Sequence, residues 1–371
     1  MKLITFYLPQ FHEIPENNSA WGEGFTEWVN VKKAKPLYKG HYQPRVPLNN
    51  NYYNLLDKEV MVKQMKLADK YGIGGFCFYH YWFKGKKLLE KPAEIMLKNP
   101  DAKLPFCFAW ANESWTKTWH GAGGEKEILM RQEYGEKKDW EEHFRYLLEF
   151  FKDERYIKKD NKPILLIYQI SNIPCFSQMM KCWNELALQA GFDGLYVISM
   201  LTTNQSLKKN KYISGTVEFE PGKTRRQQLM NSDMFEQTKK YFREKEISIP
   251  FFNKFIVNQI DYDKINQEKL KQKHESNEYR GVFVNYDDSP RRGLNGVITK
   301  GSTPKKFEQY LKENIKKACL EDSDFLFINA WNEWGESNYL EPDQRYGYAY
   351  LHAVRRALKA NNVKVERRYT E

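Results

Sequence analysis

Eight short apolar runs, separated by longer amphipathic segments, restrict the fold of this chain more than any other feature. The runs occupy residues 3–8, 74–79, 105–110, 163–168, 195–199, 215–219, 281–285 and 325–330. They are nearly continuous rather than alternating in apolar character, which is typical of parallel strands covered on both faces. Strands of this kind alternating with helices predict an α/β fold, and eight of them predict a closed (β/α)₈ TIM barrel.

The segments between the runs carry apolar residues at helical spacing. Predicted helices cover residues 57–71, 138–151, 174–190, 304–320 and 345–360. An open doubly wound sheet is the alternative, but none of the runs is followed by a GxGxxG turn. No linker or second-domain boundary is evident, so we expect one barrel domain over residues 1–371. Residues 11–54 show few helical signals and are predicted to form a long loop after the first strand, such as a lid or substrate wall.

Composition and charge limit the classes of partner. Aromatic residues make up 15% of the chain, and flat rings with polar edges suit sugar- or base-stacking. The formal charge is +11, but the basic residues are scattered, which disfavours nucleic acid as a partner. A Lys-rich solvated surface explains such a charge, and attraction to an acidic glycan, a lipid phosphate or a membrane face is the functional alternative.

The sequence shows no signal-peptide pattern and no apolar stretch of membrane length. We therefore expect a cytoplasmic protein without stable membrane insertion, although a chain trimmed of a secretion signal would look the same. Peripheral contact with a lipid-linked glycan stays open. Five cysteines without CxxC spacing, and histidines without clustered spacing, argue against a disulfide framework or a metal site. The sequence predicts no cofactor.

Polar and aromatic side chains gather where the apolar runs end, which is where active sites of such barrels form. Carboxylates and amides bind sugar hydroxyls, and aromatic faces stack on sugar rings, so this mixture predicts an oligosaccharide or polysaccharide substrate. For Asn112 and Glu113 a helix cap is the alternative role. The substrate-binding candidates from these ends are Gln10, His80, Trp82, Trp110, Asn112, Glu113, Tyr168, Glu220 and Asn332.

Glu333 and Glu336 are the predicted catalytic residues. Residues three apart face opposite sides of a strand, but they lie on one side if the chain turns after the eighth run, and Gly335 permits a turn. Their Cβ atoms would then be roughly 5–6 Å apart. That spacing resembles the close carboxylate pairing of retaining glycosidases. An ordinary pair on a solvated helix is the alternative, which the flanking tryptophans disfavour.

Several motifs resemble the WbsX-type family, which is labelled a glycosyltransferase and grouped with glycoside hydrolase family 99-like domains. They occupy residues 7–12, 21–28, 78–82, 110–113 and 331–336. The resemblance implies a (β/α)₈ barrel and adds Tyr7 and Trp28 to the substrate-binding candidates. Family 99 contains endo-α-mannosidases and endo-mannanases that react through a 1,2-anhydro sugar. By this resemblance Glu333 is the base that deprotonates the sugar 2-hydroxyl, and Glu336 is the general acid/base.

These observations favour a retaining, endo-acting glycosidase or transglycosylase acting on a bacterial polysaccharide. A glycosyltransferase of O-antigen or capsule assembly is the first alternative. Its metal-binding D-x-D spacing occurs at Asp261-Tyr262-Asp263, outside the predicted strand ends. A non-catalytic glycan-binding barrel is the second alternative, because an aromatic rim serves binding equally well.

Overall fold

The eight apolar runs form eight parallel strands, as predicted. The computed structural model describes residues 1–116, 127–202, 210–224, 236–245, 247–249 and 252–369. The strands are β1 (Lys2–Tyr7), β2 (Gly75–Phe83), β3 (Phe106–Trp110), β4 (Lys162–Ile167), β5 (Tyr196–Leu201), β6 (Gly215–Glu218), β7 (Glu278–Phe283) and β8 (Phe325–Asn329).

Pairing between the first and last strands closes the sheet. Ile4 on β1 is paired with Gly75 on β2 on one side and with Phe327 on β8 on the other. The remaining strands pair in parallel in chain order from β2 to β8. The predicted closed α/β barrel is therefore confirmed, and the open sheet is excluded.

Helices cover the outside of the barrel and lie in its connecting segments. The described helices are α1 (Pro15–Trp21), α2 (Glu27–Lys33), α3 (Lys58–Tyr71), α4 (Lys91–Lys98), α5 (Lys137–Phe151), α6 (Phe176–Gln189), α7 (Glu236–Glu244), α8 (Asn253–Ile256), α9 (Tyr262–Lys271), α10 (Ser289–Arg292), α11 (Pro304–Leu320) and α12 (Ala349–Ala360). Among them, no helix has both the length and the apolar composition needed to cross a bilayer.

Four of the predicted helices agree with the structure to within two residues at each end. The last one begins at Ala349 rather than at residue 345. The backbone N–H of Tyr346 donates to the Asp343 carboxylate, and this bond holds residues 343–346 in a turn ahead of the helix.

Short strands pair outside the barrel wall. They are Lys86–Leu88, Trp115–Thr116, Ile128–Met130, Lys158–Lys159, Asn258–Asp261, Val297–Lys300, Asn332–Glu333 and Asn338–Tyr339. The last two pair with each other just beyond β8 and form a hairpin, whose position matters for the site described below.

The segment from residue 11 to residue 54 differs from its prediction. It contains α1, α2 and a 3₁₀ turn at Leu48–Asn50, which the sequence did not predict. Both α-helices have seven residues, which is two turns and too short for a clear apolar period. Proline in the first turn of α1 was the usable local signal.

Side chains alternate between the two faces of each strand, so only every second residue faces the barrel interior. The Phe6 ring contacts the rings of Tyr79, Phe219 and Phe327, with centroid distances of 5.8, 5.4 and 5.8 Å. Tyr79 and Phe327 lie on the two strands that flank β1, and Phe219 follows β6, so the four rings meet in the barrel interior. They form an aromatic layer beneath the carboxyl ends of the strands.

We predict that Gly281→Ala destabilises the barrel. A Cβ atom at Gly281 on β7 would overlap the backbone carbonyl oxygen of Glu218 on β6, which cannot move without disturbing the sheet. Overpacking of this kind typically costs about 1–3 kcal/mol. Urea unfolding measures the change in the free energy of unfolding.

Gly222→Ala is the matched control. A Cβ atom there would meet its nearest neighbour, a Phe219 ring carbon, at an ordinary 3.5 Å. Equal stability of the two variants would contradict the close approach of β6 and β7.

Candidate functional site

A cavity opens at the carboxyl ends of the barrel strands. Its volume is about 100 Å³, and its wall combines aromatic rings with carboxylates and one guanidinium. The lining residues are Leu8, Tyr79, Tyr81, Ala111, Glu113, Trp115, Tyr168, Phe219, Arg291, Glu333 and Glu336. Both predicted catalytic glutamates are therefore among the residues that face this space.

The turn that carries the two glutamates is built on β8. Residues 334–336 form a 3₁₀ turn at the tip of the hairpin, between Glu333 and Ser337. Asn332 fixes the base of the hairpin to the end of β1, since its side-chain oxygen accepts from Leu8 N at 2.8 Å and its Nδ2 donates to Leu8 O at 3.0 Å. The turn predicted from the sequence is present, and Asn332 serves the backbone rather than the cavity.

A buried carboxylate supports the same hairpin from the side away from the cavity. Glu341 accepts hydrogen bonds from Trp331 Nε1 at 3.1 Å, Trp334 Nε1 at 2.7 Å, Tyr53 OH at 2.8 Å and Gln64 Nε2 at 2.8 Å. Burial raises the pKa of Glu341 to about 7, although these four donors oppose the rise. The two tryptophans that flank Glu333 are thereby held in place.

One arginine brings the two glutamates together. Arg291 lies in α10, just after β7, and its Nη2 is 2.7 Å from Glu333 Oε1 while its Nη1 is 2.9 Å from Glu336 Oε1. Its Nε is 2.9 Å from Oε1 of Glu27. The guanidinium thus binds three carboxylates, one through each nitrogen.

Glu27 reaches the arginine from the long segment after β1. It is the first residue of α2, and its backbone N–H donates to the carbonyl oxygen of Gln10 at 3.0 Å. Gln10 therefore serves in the backbone of this segment and is not part of the cavity wall. Gly335 leaves the space for this contact: a Cβ atom there would overlap Glu27 Oε1 and lie 2.8 Å from Arg291 Nε.

The role expected for Gly335 is corrected by this geometry. The sequence suggested that Gly335 supplies backbone freedom for the turn, but its φ is not positive. The residue with left-handed backbone is the neighbouring Ser337, whose φ is 51°. Gly335 instead lacks a side chain because the Glu27–Arg291 pair occupies that space.

Burial and the positive charge of Arg291 act in opposite directions on the pKa of Glu333. Burial raises the pKa of its carboxyl to about 8; the Arg291 guanidinium opposes this rise, and the charges of Glu336 and Glu27 add to it. The Glu333 side chain is 7% exposed, whereas that of Glu336 is 23% exposed. Glu333 is therefore the deeper member of the pair, and its carboxyl holds a proton to a higher pH than an ordinary glutamate.

Aromatic side chains form the rest of the wall. The ring of Tyr81 packs edge-on against Trp115 at 5.3 Å, and the ring of Tyr168 packs edge-on against Phe219 at 5.5 Å. Burial raises the pKa of both Tyr79 and Tyr81, so their hydroxyls remain protonated. Phenol hydroxyls beside apolar ring faces can bind one edge of a sugar and its C–H face.

Glu113 and Tyr168 are the substrate-binding candidates that the structure places in the cavity wall. His80, Trp82 and Trp110 lie on the outer faces of β2 and β3 instead. The Trp82 ring stacks on His143 of α5 at 4.4 Å, and His80 Nε2 is 2.8 Å from His143 Nε2. Trp110 packs against Trp183 of α6 at 6.0 Å. Their expected contact with substrate is corrected, because strand alternation turns all three toward the helices.

Tyr7 and Trp28 are also buried away from the cavity. Tyr7 faces out of the barrel, and its hydroxyl donates to Gln64 Oε1 of α3 at 2.6 Å. Trp28 Nε1 donates to the carbonyl oxygen of Tyr53 at 2.8 Å. Both residues pack the long segment and α3 against the barrel, so their expected contact with substrate is corrected as well.

Asn112 and Glu220 hold loops at the rim. The Asn112 side chain donates to Gln169 O at 2.8 Å and accepts from Gln169 N at 2.8 Å, which joins the loops after β3 and β4. Glu220 accepts from the Thr224 hydroxyl at 2.7 Å, and burial raises the pKa of its carboxyl. The structure brings neither residue into the cavity wall.

The arginine and most of the aromatic wall were missed by the sequence reasoning. The missed residues are Arg291, Tyr79, Tyr81, Trp115 and Phe219. The tyrosines stand one position away from His80 and Trp82, and an almost wholly aromatic strand does not show which face is inside. For Arg291 the available signal was a cation soon after the acidic end of the seventh run.

The D-x-D spacing has a structural explanation. The Asp261 carboxylate accepts from Lys264 N at 3.0 Å and so caps α9, while Asp263 binds the Tyr310 hydroxyl at 2.8 Å and the Lys306 ammonium. In the part of the chain that the structure describes, no group of three or more His, Cys, Asp or Glu side chains could hold a metal ion.

Comparisons with known proteins agree with this architecture. The Bacteroides thetaiotaomicron GH99 endo-alpha-mannosidase superposes with a TM-score of 0.54 at 15% identity, covering 97% of this chain and 96% of that chain. A glycoside hydrolase-like protein superposes with a TM-score of 0.54 at 11% identity, covering 97% and 93%. At such identities the likeness shows the fold.

Sequence comparison identifies relatives and a family. Two Xanthomonas campestris pv. campestris strains have an uncharacterized protein WxcX that is 33% identical over 366 residues, 96% of this chain and 49% of the relative. The chain thus spans about half the length of these curated relatives. The family model described as glycosyltransferase WbsX matches residues 3–354. With nearly the whole chain covered by that match, this protein belongs to the WbsX family.

Proposed function

We propose that this protein is a retaining, endo-acting glycoside hydrolase or transglycosylase that acts on a bacterial polysaccharide. One observation carries the proposal: Glu333 and Glu336 bind the same guanidinium and face one aromatic-lined cavity at the carboxyl ends of the barrel strands. Two nearby carboxyls that act in turn on one anomeric carbon are the basis of retaining cleavage. The GH99 fold likeness supports an α-linked, mannose-like substrate as the first to test.

The different burial of the two carboxyls supports distinct roles. Glu336 is partly exposed, so it can exchange protons with the leaving group and with incoming water. Glu333 is buried and has its pKa raised to about 8, which makes its carboxylate a stronger base than an ordinary one. We assign Glu333 as base for the sugar 2-hydroxyl and Glu336 as general acid/base.

The first step of this mechanism forms a 1,2-anhydro sugar. The Glu333 carboxylate removes the proton of the 2-hydroxyl, O2 bonds to C1, and the bond from C1 to the leaving oxygen breaks as Glu336 donates its proton to that oxygen. Burial favours a proton on Glu333, so the site stabilises the protonated Glu333 that this step produces.

The second step restores the starting protonation states of Glu333 and Glu336. The Glu336 carboxylate takes a proton from water, the water oxygen bonds to C1, and O2 leaves C1 and regains its proton from Glu333. C1 is inverted twice, so its configuration is retained. A sugar hydroxyl in place of water gives transglycosylation. The pair carries one proton throughout both steps.

A glycosyltransferase is the second candidate, and the description of the family favours it. Calorimetric binding of a nucleotide sugar, with transfer to an acceptor and no hydrolysis of glycans by the unaltered protein, would replace the hydrolase proposal. A glycan-binding barrel would bind oligosaccharide with both glutamates replaced by glutamine, and its unaltered form would show no turnover.

We predict that Glu336→Gln and Glu333→Gln each reduce turnover of defined α-linked oligosaccharides by at least about 10²-fold, since each removes one proton-transfer group. Circular dichroism and thermal unfolding should show a retained fold. Glu149→Gln on the exposed face of α5 is the control and should keep full activity. Near-normal cleavage by Glu336→Gln would refute the assigned acid/base role.

We predict that kcat/KM falls above pH 8. The raised pKa of Glu333, about 8, means that rising pH through this value removes the single proton of the pair. A doubly ionised pair cannot protonate the leaving oxygen, so the rate should fall about tenfold per pH unit on the alkaline side. Initial rates from pH 5 to about pH 10 measure this alkaline fall in kcat/KM.

An aryl glycoside with an acidic phenol as leaving group is the control substrate. Its departure needs no proton, so its first-step rate should be much less sensitive to the alkaline limb. A natural-substrate profile that stays flat to pH 10 would contradict the shared-proton mechanism.

A further inference from the structure

We propose that Glu27 is a positioning residue for the catalytic pair: it holds the Arg291 guanidinium in the orientation in which its two other nitrogens bind Glu333 and Glu336. Since its catalytic consequence rests on the proposed function, the experiment below includes a measurement that needs no substrate. The proposed role connects the long segment after β1 directly to the chemistry at the end of β8.

The three contacts of Arg291 differ in depth. The Glu27 side chain is 2% exposed and is not part of the cavity wall, so it lies behind Arg291, which lines the cavity and is 4% exposed. Glu333 and Glu336 are bound by the terminal nitrogens on the cavity side. A planar guanidinium fixed at Nε directs both terminal nitrogens along fixed lines. Glu27 is thus the anchor from which the other two contacts follow.

The Glu27–Arg291 ion pair fits sterically against the turn at residues 334–336 only because position 335 is glycine. Gly335 stands between Glu333 and Glu336, and any Cβ atom there would overlap the Glu27 carboxylate. A side chain at this position would push Glu27 and Arg291 away from the turn. The absence of a side chain at Gly335 therefore serves the same arrangement as the charge of Glu27.

Charge balance gives Glu27 an electrostatic effect as well. Three carboxylates share one cation, so a proton is retained more readily than on an isolated pair. Glu27 adds to the raised pKa of Glu333. The other titratable groups that line the cavity with Glu333 and Glu336 are Tyr79, Tyr81, Tyr168 and Glu113.

A second set of contacts keeps the long segment in place without Glu27. Leu37 N–H donates to His41 Nδ1, which leaves the His41 Nε2–H to donate to Asp287 at 2.8 Å. Gln43 Nε2 donates to the same Asp287 oxygen at 2.7 Å and to Ser337 Oγ at 2.9 Å. A Glu27 variant should therefore retain the docked segment and the fold.

The test uses Glu27→Ala and Glu27→Gln in the full chain. Glu27→Ala removes the anchor, and displaced catalytic groups should lower kcat by about 10²-fold with a much smaller change in KM. Glu27→Gln keeps an oxygen that can accept from Arg291 Nε, so it should recover part of that loss. Glu13→Gln is the control, since Glu13 is an exposed carboxylate in the same segment. Unchanged kcat in Glu27→Ala would overturn the proposal.

The substrate-free measurement is the titration of the Glu333 carboxyl by ¹³C NMR, assigned by Glu333→Gln. Removing the Glu27 charge in Glu27→Gln should lower the pKa of Glu333 relative to the unaltered protein, while Glu13→Gln should leave it unchanged. Identical titrations in all three proteins would overturn the role of Glu27. Absence of glycan turnover by the unaltered protein would instead defeat the proposed function and leave this titration valid.

Gly335→Ala tests the steric part of the proposal. Alone it should lower kcat about as much as Glu27→Ala does. Added to Glu27→Ala it should lower kcat by less than it does alone, because the overlapping carboxylate is gone and only the close contact with Arg291 Nε remains. Such non-additivity is expected of residues in contact. Fully additive losses would show that Gly335 and Glu27 act separately and would overturn the matched arrangement.

Discussion

The buried ion pairs of Arg291 are the interaction on which the site depends. A guanidinium and carboxylates taken out of water are costly unless each is paired and hydrogen-bonded. Arg291 meets this requirement by binding Glu27, Glu333 and Glu336 at 2.9, 2.7 and 2.9 Å. These residues come from the segment after β1, the loop after β7 and the hairpin after β8. One cation therefore fixes three parts of the rim relative to one another.

This arrangement explains how two like charges can stand together over a cavity. Glu333 and Glu336 would repel each other if both were ionised without Arg291, and would be poor acids and bases if both were fully neutralised by it. Burial, to which the charges of Glu336 and Glu27 add, raises the pKa of Glu333 to about 8 although Arg291 opposes the rise. The aromatic wall excludes water from one side of the pair, which strengthens these interactions. A carbohydrate ring is the ligand that suits both the carboxyls and the ring faces.

The sequence predicted the barrel because buried parallel strands leave a simple signal, a continuous apolar run. It also predicted that Glu333 and Glu336 lie on one side of a turn directly after a strand, and their catalytic role stays a prediction. It failed along β2, where every residue from Phe76 to Phe83 is apolar, aromatic or His, so Tyr79 and Tyr81 were indistinguishable from the outward His80 and Trp82. Arg291 was missed because its partners are distant in sequence, and only the closed barrel brings them together.

The configuration of the first-formed product tests the central claim most directly. If Glu333 and Glu336 act in turn on one anomeric carbon, ¹H NMR during early cleavage of an α-linked oligosaccharide should show the α-anomer first, followed by slow mutarotation. The β-anomer as first product would mean a single displacement by water between more widely separated carboxyls. That result would contradict a catalytic pair held together by Arg291.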